Sequence, residues 1–195
     1  PSAGRILLEG QDVTGLDSAA RSHRGIGRSY QRTNIFPQFT VLENCRLAAQ
    51  SRRPRPWRIF TDAMKTRDTV ERAQAAIVEA GLGGRELRKA GLLSHGEQRQ
   101  LEIAMVLATD ARVLLLDEPL AGMGSEESAQ MVELLRKLKQ NRAILLVEHD
   151  MDAVFAVADT ITVMVEGSVL ESGPPEQIRN SEDVQAAYLG EDEHG

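Results

Sequence analysis

A single cysteine, Cys45, stands among 195 residues. One thiol closes no intrachain disulfide and cannot build a cysteine-rich zinc site, so neither device holds this fold together. Aromatic residues are also scarce, at 4%, which leaves Leu, Val, Ile, Ala and Met to make the core. No apolar run approaches the roughly 18 residues that a membrane-spanning helix needs. The longest runs are Val113–Leu116, Ala143–Val147 and Ile161–Val165, each the size of a strand. Positive charge is in deficit, with 23 Lys and Arg against 29 Asp and Glu, a net charge of −6. A global basic footprint for nucleic acid is thereby excluded. No secretion signal is recognisable. Because the chain starts at Pro1 rather than Met, it is expected to be part of something longer. What remains is ordinary globular usage, 42% hydrophobic and 27% charged, in a length suited to one domain or a domain with a small subdomain.

The order of elements points to an α/β fold. Arg5–Val13 reads as a strand, a turn and a short extension, followed by helical stretches at Asp17–His23 and Val41–Gln50 with a short strand at Ile26–Gln31 between them. Pro54 and Pro56 break the pattern at Ser51–Trp57. Thr66–Ala80 carries helical periodicity, with Val70, Ala73, Ala76, Ile77 and Ala80 on one face. Ser94 opens another helix that runs to about Ala108, and Glu97 three residues on completes a capping-box pattern. Val113–Leu116, a helix at Glu127–Lys139, Ala143–Val147, a helix at Met151–Ala158 and Ile161–Val165 then alternate, which predicts a mainly parallel sheet of strands buried on both faces. Gly167–Leu170 is placed to form a hairpin with the last of these, and a short helix at Asp183–Leu189 precedes the acidic tail Glu191–Glu193.

Chemistry in parallel sheets sits at the carboxyl ends of the strands. Asp117 and Glu118 follow Val113–Leu116 directly. Such an acidic pair suits Mg²⁺ with a phosphate, the second carboxylate polarising an attacking water, and it equally suits a solvated turn closed by Pro119. His149 ends the next strand on the same edge, either as a structural histidine or as a third polar group of one site. Ser94 and Gly96 at a helix N-terminus offer amides and a dipole to an anion, or merely cap the helix. Gln31 after Ile26–Tyr30 is a weak signal on its own.

Taken in order, Gln31, Leu93–Gln98, Val113–Pro119 and His149 resemble the Q-loop, signature motif, Walker B and H-loop of an ABC-transporter ATPase. The resemblance spans essentially the whole chain. It is closer still to the ATPases of branched-chain amino-acid importers, through Ser94–Ala108, Leu116–Met123, Val147–Met151 and Pro175–Leu189. Urea importers and lipopolysaccharide-export ATPases are related. The resemblance implies a P-loop NTPase-like domain with a helical signature subdomain at 41–110, part of an antiparallel β subdomain and a C-terminal helix and tail at 175–195. It implies ATP and Mg²⁺ as cofactors. Glu118 would orient the attacking water, Asp117 would support Mg²⁺, His149 would contact the γ-phosphate, and Gln31 would touch Mg²⁺ or water. Ser94, His95, Gly96 and Glu97 form the signature segment, whose Ser94 and Gly96 would bind the γ-phosphate held by an opposite subunit. Implied partners are a second ATPase subunit, transmembrane permease subunits and, indirectly, an external substrate-binding protein, with the chain peripheral on the inner face of the cell membrane.

Three departures qualify that pattern. No G-x-x-x-x-G-K-S/T occurs, and none of Lys65, Lys89, Lys137 and Lys139 follows a glycine. The phosphate-cradling loop, its strand and its helix are missing, as expected of an N-terminally truncated chain that is inactive alone. The signature carries His95 and Glu97 where Gly and Gln are commonest. Gly122-Met123-Gly124 replaces the usual D-loop ending in Asp, so that loop's cross-dimer contact is not carried over. Arg46, Arg52, Arg53, Arg55 and Arg58 lie within thirteen acid-free residues beside Trp57, either a solvated loop or a contact to anionic headgroups or permease subunits. Two other function classes compete: a non-transport ABC ATPase, which the acidic charge and lack of coiled coil disfavour, and a non-hydrolytic module lending its signature motif to a partner's ATP.

Overall fold

Among the described residues, Glu-Gly turns build two hairpins. In the computed structural model, which describes residues 3–29, 34–51 and 67–191, β1 (Leu7–Leu8) and β2 (Gln11–Asp12) pair antiparallel around Glu9 and Gly10, whose φ angles are +50° and +77°. Two successive positive φ values give the turn whose twist matches paired strands. Gln31, the segment from Arg52 to Arg58 and the tail beyond Glu191 lie outside the described residues. The described chain falls into two compact units, residues 1–148 and 149–195.

In the first unit α1 (Ser18–His23) is capped by Asp17, whose carboxylate accepts the Ala20 amide at 2.7 Å. A three-stranded parallel sheet follows, ordered β3 (Ile26–Arg28), β4 (Val113–Asp117), β5 (Ala143–Val147). Its register sets Gly27 beside Leu114, and Asp117 beside Val147. Leu114 and Leu116 are fully buried, each contributing about 1.5–3 kcal/mol. Parallel neighbours need long crossovers. Between β3 and β4 run α2 (Val41–Ser51), α3 (Arg67–Glu79) and α4 (His95–Ala108), which pack on one another. Ala73, Ala76, Ile77 and Ala80 are buried as their spacing predicts, and Val70 is half-buried. Between β4 and β5 runs α5 (Ser125–Leu138), which buries Met131, Leu134, Leu135 and Leu138. That is the i, i+3, i+4, i+7 stripe of an amphipathic helix. Glu126 and Glu127 in its first turn and Arg136 and Lys137 in its last complement the helix dipole.

The second unit comprises α6 (Met151–Val157), β6 (Ile161–Val165), β7 (Ser168–Gly173), α7 (Pro175–Arg179) and α8 (Glu182–Glu191). β6 and β7 form a hairpin across Glu166 (φ +49°) and Gly167 (φ +78°). Ile161, Ile178 and Val184 make its core, with Phe155 and Val163 packed against them.

Two expectations require correction. β5 is not buried on both faces: Leu145 is 62% and Val147 56% exposed. Among the described residues β5 has a partner on one side alone, and along it Ala143, Leu145 and Val147 alternate onto one exposed face while Ile144 and Leu146 are half-buried. Among the described residues Ile161–Val165 pairs with β7 alone, antiparallel, rather than with a parallel strand. Its short Glu-Gly turn favours the adjacent hairpin strand.

Candidate functional site

β4 delivers two acidic residues to the carboxyl edge of the sheet. Asp117 is its last residue, and the Glu118 amide donates to the carbonyl of Val147 at 2.9 Å, so the ladder to β5 persists one residue further. Glu118 then turns into the left-handed region at φ +47°. A non-glycine residue there is strained, and such strain gathers at functional turns. Asp117 pairs with Arg28 at 3.6 Å. Both side chains are more than a third exposed, so the pair adds little stability and leaves the carboxylate open to a stronger cation. The Asp117 amide points to the Ser29 hydroxyl at 3.4 Å. The loop beyond Glu118 is pinned where the Leu120 amide donates to Glu148 Oε1 at 2.8 Å.

The signature segment opens α4. Ser94 is the N-cap; its Oγ accepts the Glu97 amide at 3.2 Å while Glu97 accepts the Ser94 amide at 3.0 Å, the reciprocal capping box expected from the sequence. Burial pushes the Glu97 carboxyl up, but hydrogen bonds from Arg85 and the Ser94 amide, with the charges of Arg85 and Arg88, outweigh it and hold the group below its ordinary range. His95 lies against Gly122, where an added Cβ would sit 3.4 Å from the imidazole Cε1. Gly96 is buried in the first turn.

One residue that sequence reading missed joins this segment to the first turn of α5. Glu127 Oε1 accepts the Ser94 hydroxyl at 2.8 Å and the Gly96 amide at 3.2 Å. Two donors converging on one oxygen at a helix N-terminus make a niche for an anion. Thirty-three residues separate Glu127 from Ser94, and no local pattern could have paired them.

His149 is exposed, two residues beyond Val147, and opens the second unit. Gln31 lies outside the described residues. Among the described residues no group of three or more His, Cys, Asp or Glu is arranged to hold a metal ion. A single exposed carboxylate, Asp117, matches what Mg²⁺ takes from a protein when phosphates and water supply its other ligands. No described helix is long and apolar enough to cross a membrane.

The ABC transporter family matches residues 1–121, and the C-terminal family of branched-chain amino acid ATP-binding cassette transporters matches residues 168–194. The chain is 38% identical over 200 residues to the high-affinity branched-chain amino acid transport ATP-binding protein LivG of Escherichia coli, covering 98% of this chain and 78% of the relative. Identity and coverage are the same for BraF of Pseudomonas aeruginosa, which bears the same description. Among solved structures, the ADP conformation of an ATP-binding cassette of an ABC transporter superposes with a TM-score of 0.78 at 26% identity, over 96% of this chain and 77% of that one.

Proposed function

This chain belongs to the ABC transporter ATP-binding family, and from that premise we propose that it is the energy-coupling ATPase subunit of an importer for branched-chain amino acids. The observation that carries the reading is the convergence of the Ser94 hydroxyl and the Gly96 amide on one carboxylate oxygen. That geometry suits a phosphate oxygen, and the helix dipole favours the same charge. The likeness to LivG and BraF supports the cargo class.

Each residue then has a task. Ser94 and Gly96 receive the γ-phosphate of an ATP held by an opposite subunit, with His95 and Glu97 shaping that turn. Glu118 orients a water and accepts its proton. Asp117 would hold Mg²⁺, with Gln31 as a second ligand, and the ion would neutralise charge between phosphate oxygens. His149 steadies the transferred group. Phosphoryl transfer asks mainly for such positioning and charge stabilisation. Residues 41–110 serve as the helical subdomain that carries the signature, and permease subunits at the inner face of the membrane are its partners.

The same niche supports a second reading, in which the chain lends it to a partner's ATP and does not hydrolyse. Glu118→Gln separates the two in a transporter reconstituted with permease subunits and an ATP-holding partner. Loss of a general base costs about 10²–10⁴-fold in turnover. A loss of that size with abolished leucine uptake is the expected result. Unchanged turnover, with Ser94→Ala still impairing it, would establish the signature donor instead.

A further inference from the structure

We infer that Glu127 is a built-in competitor for the nucleotide: its carboxylate fills the Ser94–Gly96 niche, and a phosphate must displace it to bind. The inference rests on the reading that this niche receives a phosphate.

Proton arithmetic makes the two occupants exclusive. Ser94 Oγ carries one hydrogen. The oxygen accepts the Glu97 amide at 3.2 Å, and its own proton goes to Glu127 Oε1 at 2.8 Å. A phosphate oxygen needs that same proton and the same Gly96 amide, now 3.2 Å from Glu127 Oε1. No second donor set is available from these two groups.

Space gives the same answer. A Cβ built on Gly96 would lie 2.7 Å from Glu127 Cδ, 2.8 Å from Oε1 and 3.0 Å from Cγ. The carboxylate is therefore pressed onto the Gly96 α-carbon and leaves no room for another anion. The absence of a side chain at Gly96 is what admits it. Charge is the third argument. A carboxylate and a phosphate a few ångströms apart repel, and at the edge of a protein that repulsion is only partly screened.

Glu127 can also vacate the niche. It sits in the first turn of α5, where its amide end is fixed by the helix while the carboxylate swings on rotatable side-chain bonds. Once displaced, it remains in a turn whose free amides favour negative charge. The consequence is a site that is satisfied when empty and that accepts nucleotide at the expense of an internal bond. Nucleotide affinity is thus weaker than the niche alone would provide.

The test is an ATP titration of the transporter assembled from this chain, its permease subunits and an ATP-holding partner subunit, with Glu127→Ala, Glu127→Gln and Ser94→Ala variants. A charge-assisted hydrogen bond that no longer has to be broken lowers the KM for ATP by about tenfold or more in Glu127→Ala. kcat is retained. Glu127→Gln keeps the shape and removes the charge, so its KM falls by a smaller factor, and it carries the test should the alanine variant not fold. A merely structural Glu127 would give the opposite sign, a raised KM or a reduced kcat as α5 loosens. An unchanged or raised KM in both Glu127 variants, with Ser94→Ala impaired, overturns the competitor and leaves the phosphate niche standing. An unimpaired Ser94→Ala overturns the niche and the competitor together. In an independent readout, inorganic phosphate titrated onto the folded Glu127→Gln chain shifts the Gly96 amide resonance at lower concentration than in the unmodified chain; equal or weaker response overturns the inference.

Discussion

Glu102 on α4 accepts the backbone amide of Asn34 at 2.6 Å with one carboxylate oxygen and the Arg99 guanidinium at 2.9 Å with the other. The Arg99 and Glu102 side chains are only 7% and 6% exposed. The helix that begins with the signature segment is thereby tied to the chain just beyond Gln31. Removing one member of a buried ion pair costs about 3–5 kcal/mol. Glu102→Ala is expected to lose stability in that range by urea unfolding. Glu102→Gln keeps an acceptor for Asn34 and loses less. A loss under about 1 kcal/mol for the alanine variant would show that the buried pair contributes nothing special.

Gly27 brings β3 into close approach with α4. A Cβ there would lie 2.3 Å from Val106 Cγ1 and 2.8 Å from Ala111 Cβ. Branched Val106 has few rotamers to escape into on a helix. Gly27→Ala should therefore destabilise by about 1–3 kcal/mol, the usual range for overpacking. Val106→Ala removes the nearer clash, so the double variant should recover part of the loss. Strictly additive effects in that cycle would rule out the contact as the cause.

What could be foreseen was local. The Ser94–Glu97 capping box needs three residues of sequence, and its geometry is the expected one. The apolar spacing of Met131, Leu134, Leu135 and Leu138 announces α5, though the helix starts at Ser125 rather than Glu127 because Gly124 supplies the extended cap. Gly167 announces the last hairpin. α7, five residues long, is too short to show a period. The bonds that shape the site are of another kind. Glu127 to Ser94 spans 33 residues and Glu102 to Asn34 spans 68, and a charged residue on a helix carries no sign of which distant amide it will meet. Exposure of Leu145 and Val147 was equally hidden, since an apolar run records a preference for burial and not whether a neighbour is there.

Acid should weaken the signature turn through Glu97. Its carboxyl is held below its ordinary value of 4.5. A group whose pKa is depressed in the folded state contributes stability above its unfolded value, and that contribution fades as pH falls through the folded value. Thermal unfolding followed from pH 7 downward should lose this share below about 4.5, with Arg85 and the Ser94 amide losing their charged acceptor. Glu97→Gln keeps a polar side chain without the titration. Its stability should therefore fall less steeply over the same interval, and a parallel decline in the two proteins would sink the assignment.

Glu118 separates backbone strain from chemistry in a single position. At φ +47° its Cβ crowds the neighbouring carbonyl, a cost of about 1–2 kcal/mol that glycine does not bear. Glu118→Ala and Glu118→Gly both delete the carboxylate, so both should abolish ATP turnover in the assembled transporter if Glu118 orients the attacking water. They differ in the Cβ alone. Elsewhere in regular structure Ala is more stabilising than Gly, by about 0.5–1 kcal/mol. At this turn the order should reverse, with Glu118→Gly the more stable of the two by about 1 kcal/mol in urea unfolding. Turnover lost in both variants with that reversed order would fix strain and catalysis on the same residue; alanine proving the more stable would mean that the turn relaxes out of the left-handed region once the carboxylate is gone.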